Sequence, residues 1–254
     1  MQAFSLRLQT TEIMRIPRIY YDGELIEGTT IELDRSASQH VCKVLRLDTS
    51  APLILFNGKG KSVTAVLEST SGKAAQVKIL EGISELTESP LQIHLGLAIS
   101  KGDRMDYAIQ KAVEVGTNII TPLTTERTVV RLDSKRQQKK LDHWRGVIIS
   151  ACEQCGRAYL PTLNPISPLS NWITHTSPCK IMFDTEAEQT LSQLQKYNKV
   201  SILIGPEGGL SDNERSQACS QNFESIKLGP RILRTETAVV SACCALQVLW
   251  GDFS

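Results

Sequence analysis

No apolar run in the 254 residues approaches the roughly 20 needed to cross a bilayer, so no membrane span is expected. The N-terminus has no continuous apolar core, which argues against a secretory signal and points to the cytoplasm. Disulfides are poorly provided for. Seven cysteines, an odd number, suit a reducing compartment rather than a cross-linked framework. Cys152-Glu-Gln-Cys155 has no second C-x-x-C and no histidine pair to complete a zinc set, so it reads as free thiols on a helix, and no metal is expected. The 4 histidines are scattered, and none sits beside a serine or cysteine in a way that suggests nucleophilic catalysis. A phosphate loop is missing too: Gly205-Pro-Glu-Gly-Gly209 lacks the Lys-Ser/Thr ending, and its spacing does not fit G-x-G-x-x-G.

Charge of one sign is also lacking, since the net charge is +1, but the distribution is uneven. Between positions 127 and 145 fall Arg127, Arg131, Lys135, Arg136, Lys139, Lys140, His143 and Arg145. A second basic set, Arg15, Arg18, Lys43, Arg46, Lys59 and Lys61, lies near the N-terminus. Either set alone reads as a solvated face; two in one chain favour a polyanion partner, because phosphate contacts need clustered Lys and Arg.

Composition is otherwise that of a globular protein, 41% hydrophobic and 22% charged. Residues 1–13 carry little pattern and are expected to form a disordered or extended leader, with Met14 a second candidate start. Residues 14–83 read as short strands and glycine turns with one helix at about 36–46, a small β-barrel-like module. Residues 84–90 form a linker. From 91 to 254 strands alternate with helices, which predicts an α/β domain with a mainly parallel sheet. Helices are expected at 104–115, with Met105, Ala108, Ile109, Ala112 and Val113 on one face, at 134–157, between the strands at 180–183 and 200–204, after the capping box Ser211-Asp-Asn-Glu214, and at 237–250. The last is apolar nearly all round and needs burial on several sides, inside the subunit or against a second copy; a homodimer is favoured.

The most informative residues are two glycine-bearing turns, each after a short apolar strand: Ile202-Leu-Ile-Gly-Pro-Glu-Gly-Gly-Leu-Ser211 and Ile226-Lys-Leu-Gly-Pro-Arg-Ile-Leu-Arg-Thr-Glu-Thr237. Such turns at the carboxyl ends of neighbouring strands make a pocket lined largely by main chain. Glu207 is expected to pair with Arg231 or Arg234. Thr124-Thr-Glu-Arg-Thr128 follows a strand end, which would bring Glu126 and Arg127 to the same rim. Gln154 and Arg157, at the end of the long helix, are candidates to face substrate.

These residues resemble the RsmE-type family of 16S ribosomal RNA uridine-N3 methyltransferases, within the knotted SPOUT methyltransferases. The matching segments are Arg15-Ile-Pro-Arg-Ile19, His40 to Leu47, Asn57-Gly-Lys-Gly60, Lys111 to Gly116, Pro122 to Thr128, Glu153-Gln-Cys-Gly-Arg157, Ile204 to Gly209 and Leu228 to Ala238. The last two are specific; the others are individually weak but fall in the right order. Cys155, and the run Val239-Val-Ser-Ala-Cys-Cys244, depart from the family pattern without touching the motif cores. The resemblance implies a PUA-like RNA-binding barrel over 14–83, and over 91–254 a SPOUT domain with a C-terminal trefoil knot. It further implies an obligate homodimer acting on the 16S rRNA of the small ribosomal subunit. It implies an S-adenosylmethionine pocket formed by Ile204, Gly205, Pro206, Gly208 and Gly209 of the first turn. Leu228, Gly229, Ile232, Leu233, Thr235, Thr237 and Ala238 would supply the second. Arg127 is the first candidate for transition-state stabilisation, then Arg234, with Glu126 and Glu236 as proton acceptors. Arg15, Arg18, Lys43, Arg46, Lys59, Arg131 and Arg157 would contact RNA. A knotted enzyme acting on tRNA or a ribose 2′-OH, and a non-catalytic RNA-binding assembly factor, are the alternatives.

Overall fold

The computed structural model describes residues 16–70, 74–84, 87–128 and 133–253; the expected leader, Arg15 and Arg131 lie outside them. The chain divides into two compact units between Ser84 and Glu85.

The first unit contains β1 (Arg18–Tyr20), β2 (Thr30–Glu32), α1 (Arg35–Gln39), β3 (Pro52–Phe56), β4 (Ser62–Ser69) and β5 (Gln76–Ile83). They form a five-stranded sheet in the order β1-β3-β4-β5-β2, with β1 parallel to β3 and the other pairs antiparallel. Alternation decides which face is buried: Val63, Ala65 and Leu67 of β4 and Val77 and Ile79 of β5 point into one core with Leu53 and Leu55 of β3. The β3–β4 turn closes on Asn57, whose Oδ1 accepts from the backbone N–H of Lys59 (2.9 Å) and Lys61 (3.2 Å). The expected single helix is two pieces. The α1 turn is capped by Asp34, which accepts from Ala37 N at 2.8 Å, and it runs into a π-helical turn, His40–Val44, that buries Val41 in the core.

The second unit contains β6 (Gln92–Ala98), α2 (Asp103–Glu114), β7 (Ile119–Thr124), α3 (Ser134–Cys155), β8 (Thr162–Leu163), β9 (Ser167–Pro168), α4 (Leu169–Trp172), β10 (Lys180–Phe183), β11 (Lys199–Ile204), α5 (Asp212–Ser220), β12 (Glu224–Ile226) and α6 (Thr235–Trp250). The strands make a seven-stranded sheet in the order β12-β10-β11-β6-β7-β8, with β9 also on β7, and the pairs are parallel. Its centre is β6 and β11, near-continuous apolar runs buried on both faces, as parallel strands require. The predicted face of α2 is the buried one, and α2 packs on both α3 and α6.

Two differences from expectation have local causes. Residues 184–198 carry one 3-10 turn, Leu191–Gln193, where a helix was expected. Helix-forming side chains are present, but the backbone is engaged elsewhere: Lys227 N donates to Gln189 O at 2.8 Å, and Thr190 bridges Lys227. The end of the expected linker, Thr87 to Pro90, is fastened to the second unit. Thr87 Oγ1 donates to Gly156 O (3.4 Å), Ser89 Oγ to Gln247 Oε1 (2.7 Å), and Glu88 pairs with Arg157.

Candidate active site

The carboxyl ends of β10, β11 and β12 lie side by side, and the segments leaving them enclose a cavity of about 520 Å³. That size is in the range of small-molecule sites, which run from roughly 300 to 1,000 Å³. The turn after β11 is held by Gly209 N donating to Pro206 O at 2.8 Å. Gly209 has φ +70, a left-handed conformation that only glycine adopts without strain. At Gly205 a side chain would press on Leu210, whose Cγ would stand 3.2 Å from an added Cβ. The turn after β12 passes through Gly229 (φ +80) into α6, and Thr235 Oγ1 donates to Gly205 O at 3.2 Å, joining the two turns.

Of the residues expected in the pocket, Ile204, Gly205, Pro206, Gly208, Gly209, Leu228, Gly229, Ile232, Leu233, Thr235 and Ala238 line the cavity, and Thr237 does not. Thr237 sits in the first turn of α6 and is exposed. Sequence reasoning missed a third wall, Phe183, Asp184, Thr185 and Glu186, together with Asp212 and Arg215 of α5. The signal was available: 180–183 reads as a strand parallel to the other two, so its exit belongs at the same edge.

Arg127 reaches the cavity from the segment after β7, and its Nη1 donates to Gly208 O at 2.8 Å. Its neighbour Glu126 is fixed twice. The Glu126 backbone N–H donates to Glu214 Oε1 at 2.8 Å, and its carboxylate accepts from Asn213 Nδ2 at 3.0 Å. The Asn213 hydrogen bond, then Ser211 and, more weakly, the charge of Arg127, hold the Glu126 carboxyl below its ordinary pKa. Glu214 also closes the predicted capping box, accepting from Ser211 N at 2.9 Å, so one buried carboxylate ties the Arg127 segment to the ligand turn.

Arg234 is exposed at the start of α6 and does not line the cavity. Glu236, in the first turn of α6, holds a buried Oε2 that accepts no hydrogen bond among the described residues. Glu207 pairs with Arg104 of α2 at 3.2 Å rather than with Arg231 or Arg234.

The expectation that Arg157 contacts RNA is corrected. Its side chain is 4% exposed, bound to Glu88 (2.6 and 3.1 Å) and to the carbonyls of Thr117 (2.7 Å) and Val113 (3.1 Å), so no donor faces outward to meet a phosphate. In the first unit Lys43, Arg46 and Lys59 are exposed, while the Arg18 guanidinium lies over the Phe56 ring, 5.3 Å from its centroid. Lys43 also borders a smaller cavity of about 300 Å³ with Arg35, Gln39 and Cys42, a grouping the sequence did not reveal.

A parallel sheet whose strand ends build a main-chain pocket, preceded by a small β unit, is the arrangement of an α/β protein that binds a small ligand at the carboxyl ends of its strands. The chain belongs to the RNA methyltransferase family: residues 87–247 match its methyltransferase domain and residues 33–80 its PUA domain. Within that family its similarity is to ribosomal RNA small subunit methyltransferase E. It is 40% identical to that protein of Buchnera aphidicola subsp. Schizaphis graminum, over 94% of this chain and 99% of the relative, and 28% identical to that of Bacillus subtilis, over 90% and 95%. A methyltransferase from Legionella pneumophila, solved with S-adenosylmethionine bound, superposes with a TM-score of 0.92 at 41% identity, covering 94% of this chain and 100% of the other. Ribosomal RNA small subunit methyltransferase E of Neisseria gonorrhoeae, also bound to S-adenosylmethionine, gives 0.88 at 37% with the same coverage.

Proposed function

We propose that the protein transfers a methyl group from S-adenosylmethionine to N3 of a specific uridine in the 16S rRNA of the small ribosomal subunit. The carrying observation is the cavity at the ends of β10, β11 and β12, walled by the glycine turns and bordered by Arg127. The residues present fit the cofactor. The two turns offer main-chain groups close to a ligand, the start of α6 adds free N–H groups, and Ile204, Leu228, Ile232 and Leu233 supply apolar contact for an adenine ring.

When bound, S-adenosylmethionine supplies a methyl carbon already activated by its sulfonium, so the chain's own residues position and stabilise. Uracil N3 must lose its proton before or during attack, leaving negative charge on the ring oxygens. Arg127 stands where a guanidinium can meet that charge, its aim set by Gly208 O and by Glu214 through the Glu126 backbone. The lowered pKa of Glu126 makes it a poor base near neutrality and suits it to orienting Arg127. Glu236 does not line the cavity and its unpartnered Oε2 is buried, so the proton is better passed to water than to that carboxylate.

The finer architecture belongs to the same proposal. The first unit is a PUA-like barrel that presents Lys43, Arg46 and Lys59 to phosphates; Arg15 and Arg131 lie outside the described residues. The second unit carries a C-terminal trefoil knot, which is favoured by the strand order β12-β10-β11 and by the return of α6 onto α2. A homodimer through α6 accounts for the exposed apolar side chains Val248 (54%) and Leu249 (44%) near its C-terminal end. The protein would act in the cytoplasm, where small subunits are made. Mass spectrometry of 16S rRNA from a deletion strain tests the function: one N3-methyluridine should vanish and return on complementation. An unchanged N3 with a lost ribose or tRNA methyl group would refute it.

A further inference from the structure

The third wall of the cavity, the corner Asp184–Thr185–Glu186 that leaves β10, begins a long irregular connection. Partway along, at Gln189 and Thr190, it is anchored on Lys227. Its near end turns on itself, with Glu186 N donating to Asp184 Oδ1 at 3.0 Å. Across the cavity stands Arg215, one turn into α5. Its guanidinium meets Glu186 at 2.8 Å and Asp184 at 3.5 Å, and on its own helix it also bonds Asp212. Arg215 and the three carboxylates all line the cavity. The Arg215 side chain is 26% exposed and that of Asp184 13%, so this part of the network is sheltered, whereas Glu186 (72%) and Asp212 (89%) are open to solvent.

We propose that Arg215 is a positioning residue for the cofactor: it clamps the exit of β10 to the helix that follows the glycine turn, and so fixes the separation of two walls of the pocket. The guanidinium suits this task because its planar fork can serve carboxylates from two segments at once, which a lysine ammonium does not reproduce. The bonds are of the partly exposed kind, individually weak and together stronger because they share one rigid donor. The bonds of Arg215 go to the β10 exit and to Asp212, and none goes to Arg127, so its effect is assigned to binding and not to the methyl-transfer step. The proposal rests on the reading that this cavity takes S-adenosylmethionine.

Calorimetry with S-adenosylmethionine, joined to methyl-transfer kinetics, tests it on wild type, Arg215→Gln and Arg215→Lys. Arg215→Gln should raise the cofactor Kd and KM roughly five- to tenfold. Turnover at saturating cofactor should stay within about twofold, the mark of lost ground-state binding. Arg215→Lys should fall between, and the melting temperature of each ligand-free variant should match wild type. A wild-type protein that binds no S-adenosylmethionine would overturn the reading of the pocket and the proposal with it. Wild-type binding with an unchanged Kd in Arg215→Gln would overturn the proposal alone, as would a fall in turnover at unchanged KM. A ligand-free melting point lowered in Arg215→Gln and Arg215→Lys alike would assign Arg215 to general stability and overturn it too.

Discussion

Replacing Arg157 by methionine should destabilise the second unit without changing RNA affinity. Methionine keeps the apolar stem and removes the guanidinium. Val113 O keeps a donor, because Gly116 N also points to it at 3.1 Å. Thr117 O loses its 2.7 Å bond from Arg157 beside a fully buried side chain. An unsatisfied buried carbonyl costs about 1–3 kcal/mol. Glu88 loses its ion-pair partner but is 25% exposed and can rehydrate, so its share lies well below the roughly 3–5 kcal/mol of a fully buried broken pair. The sum is about 3 kcal/mol, or a melting point lower by about 6–12 °C for a unit of this size. Glu88→Gln should cost about 3 kcal/mol or more, because it leaves the buried Arg157 guanidinium without its countercharge and turns an amide NH2 toward it. The assay is calorimetric melting of wild type and both variants beside rRNA-fragment binding at two salt concentrations. An unchanged melting point with a shallower salt slope for Arg157→Met would refute the reasoning and return Arg157 to the RNA-contacting set.

Arg127→Ala should lower methyl transfer by about 10²–10³-fold, as loss of a transition-state donor does, while cofactor affinity by calorimetry stays close to wild type; an equal loss of both would make Arg127 a binding residue. Gly209→Ala, at φ +70, should cost about 1–2 kcal/mol of backbone strain and weaken cofactor binding with it. The contrasting control is Gly146→Ala in exposed α3, where an added Cβ meets nothing within 4 Å: chemical denaturation should show a gain of about 1 kcal/mol. His94 is held neutral, its pKa lowered from 6.5 to about 4 by burial first and then by His175 and Lys199. Because the folded pKa is the lower one, the unfolded chain takes up the proton first. This stability is therefore complete above pH 6.5 and lost as pH falls through about 4. The shift corresponds to about 2–3 kcal/mol after allowance for partial exposure, and His94→Gln should flatten the urea midpoint between pH 6.5 and 4.

The parts of the fold legible in the sequence were those where a local pattern and the tertiary environment agree. The α2 face of Met105, Ala108, Ile109, Ala112 and Val113 has a strong 3.6-residue period, and the core takes up that stripe. The capping box at Ser211 and Glu214 was readable because its partners are three residues apart. What stayed hidden depends on partners distant in sequence. Nothing around Arg157 announces Glu88, 69 residues away, and a polar cluster at a helix end looks the same whether it faces solvent or a buried ion pair. The segment 184–198 has helix-forming composition, but Lys227, just past β12, engages its backbone at Gln189 and Thr190. At the site, the two glycine turns were legible because glycine permits and proline fixes unusual backbone locally; Asp-Thr-Glu at the β10 corner carries no such local mark and is reached only through the strand before it.

Because the site depends on main chain, its shape is controlled by the side chains that hold that main chain. Thr235 holds Gly205 O, Arg127 holds Gly208 O, and Glu214 holds both Ser211 N and Glu126 N. Thr235 and Glu214 are buried and each bonds backbone of another segment, so these two set the distance between walls, whereas Arg127 is exposed. Glu214 matters most among them because it is 5% exposed and serves two backbone donors at once. An amide there offers one acceptor oxygen and turns two N–H groups toward the second donor, so Glu214→Gln should disturb both the ligand turn and the Arg127 segment. Cofactor affinity and turnover should then fall together, whereas Arg127→Ala lowers turnover and Arg215→Gln lowers affinity. Kinetics on the three variants side by side would read this; a Glu214→Gln enzyme with only one of the two parameters changed would show that the walls are set independently.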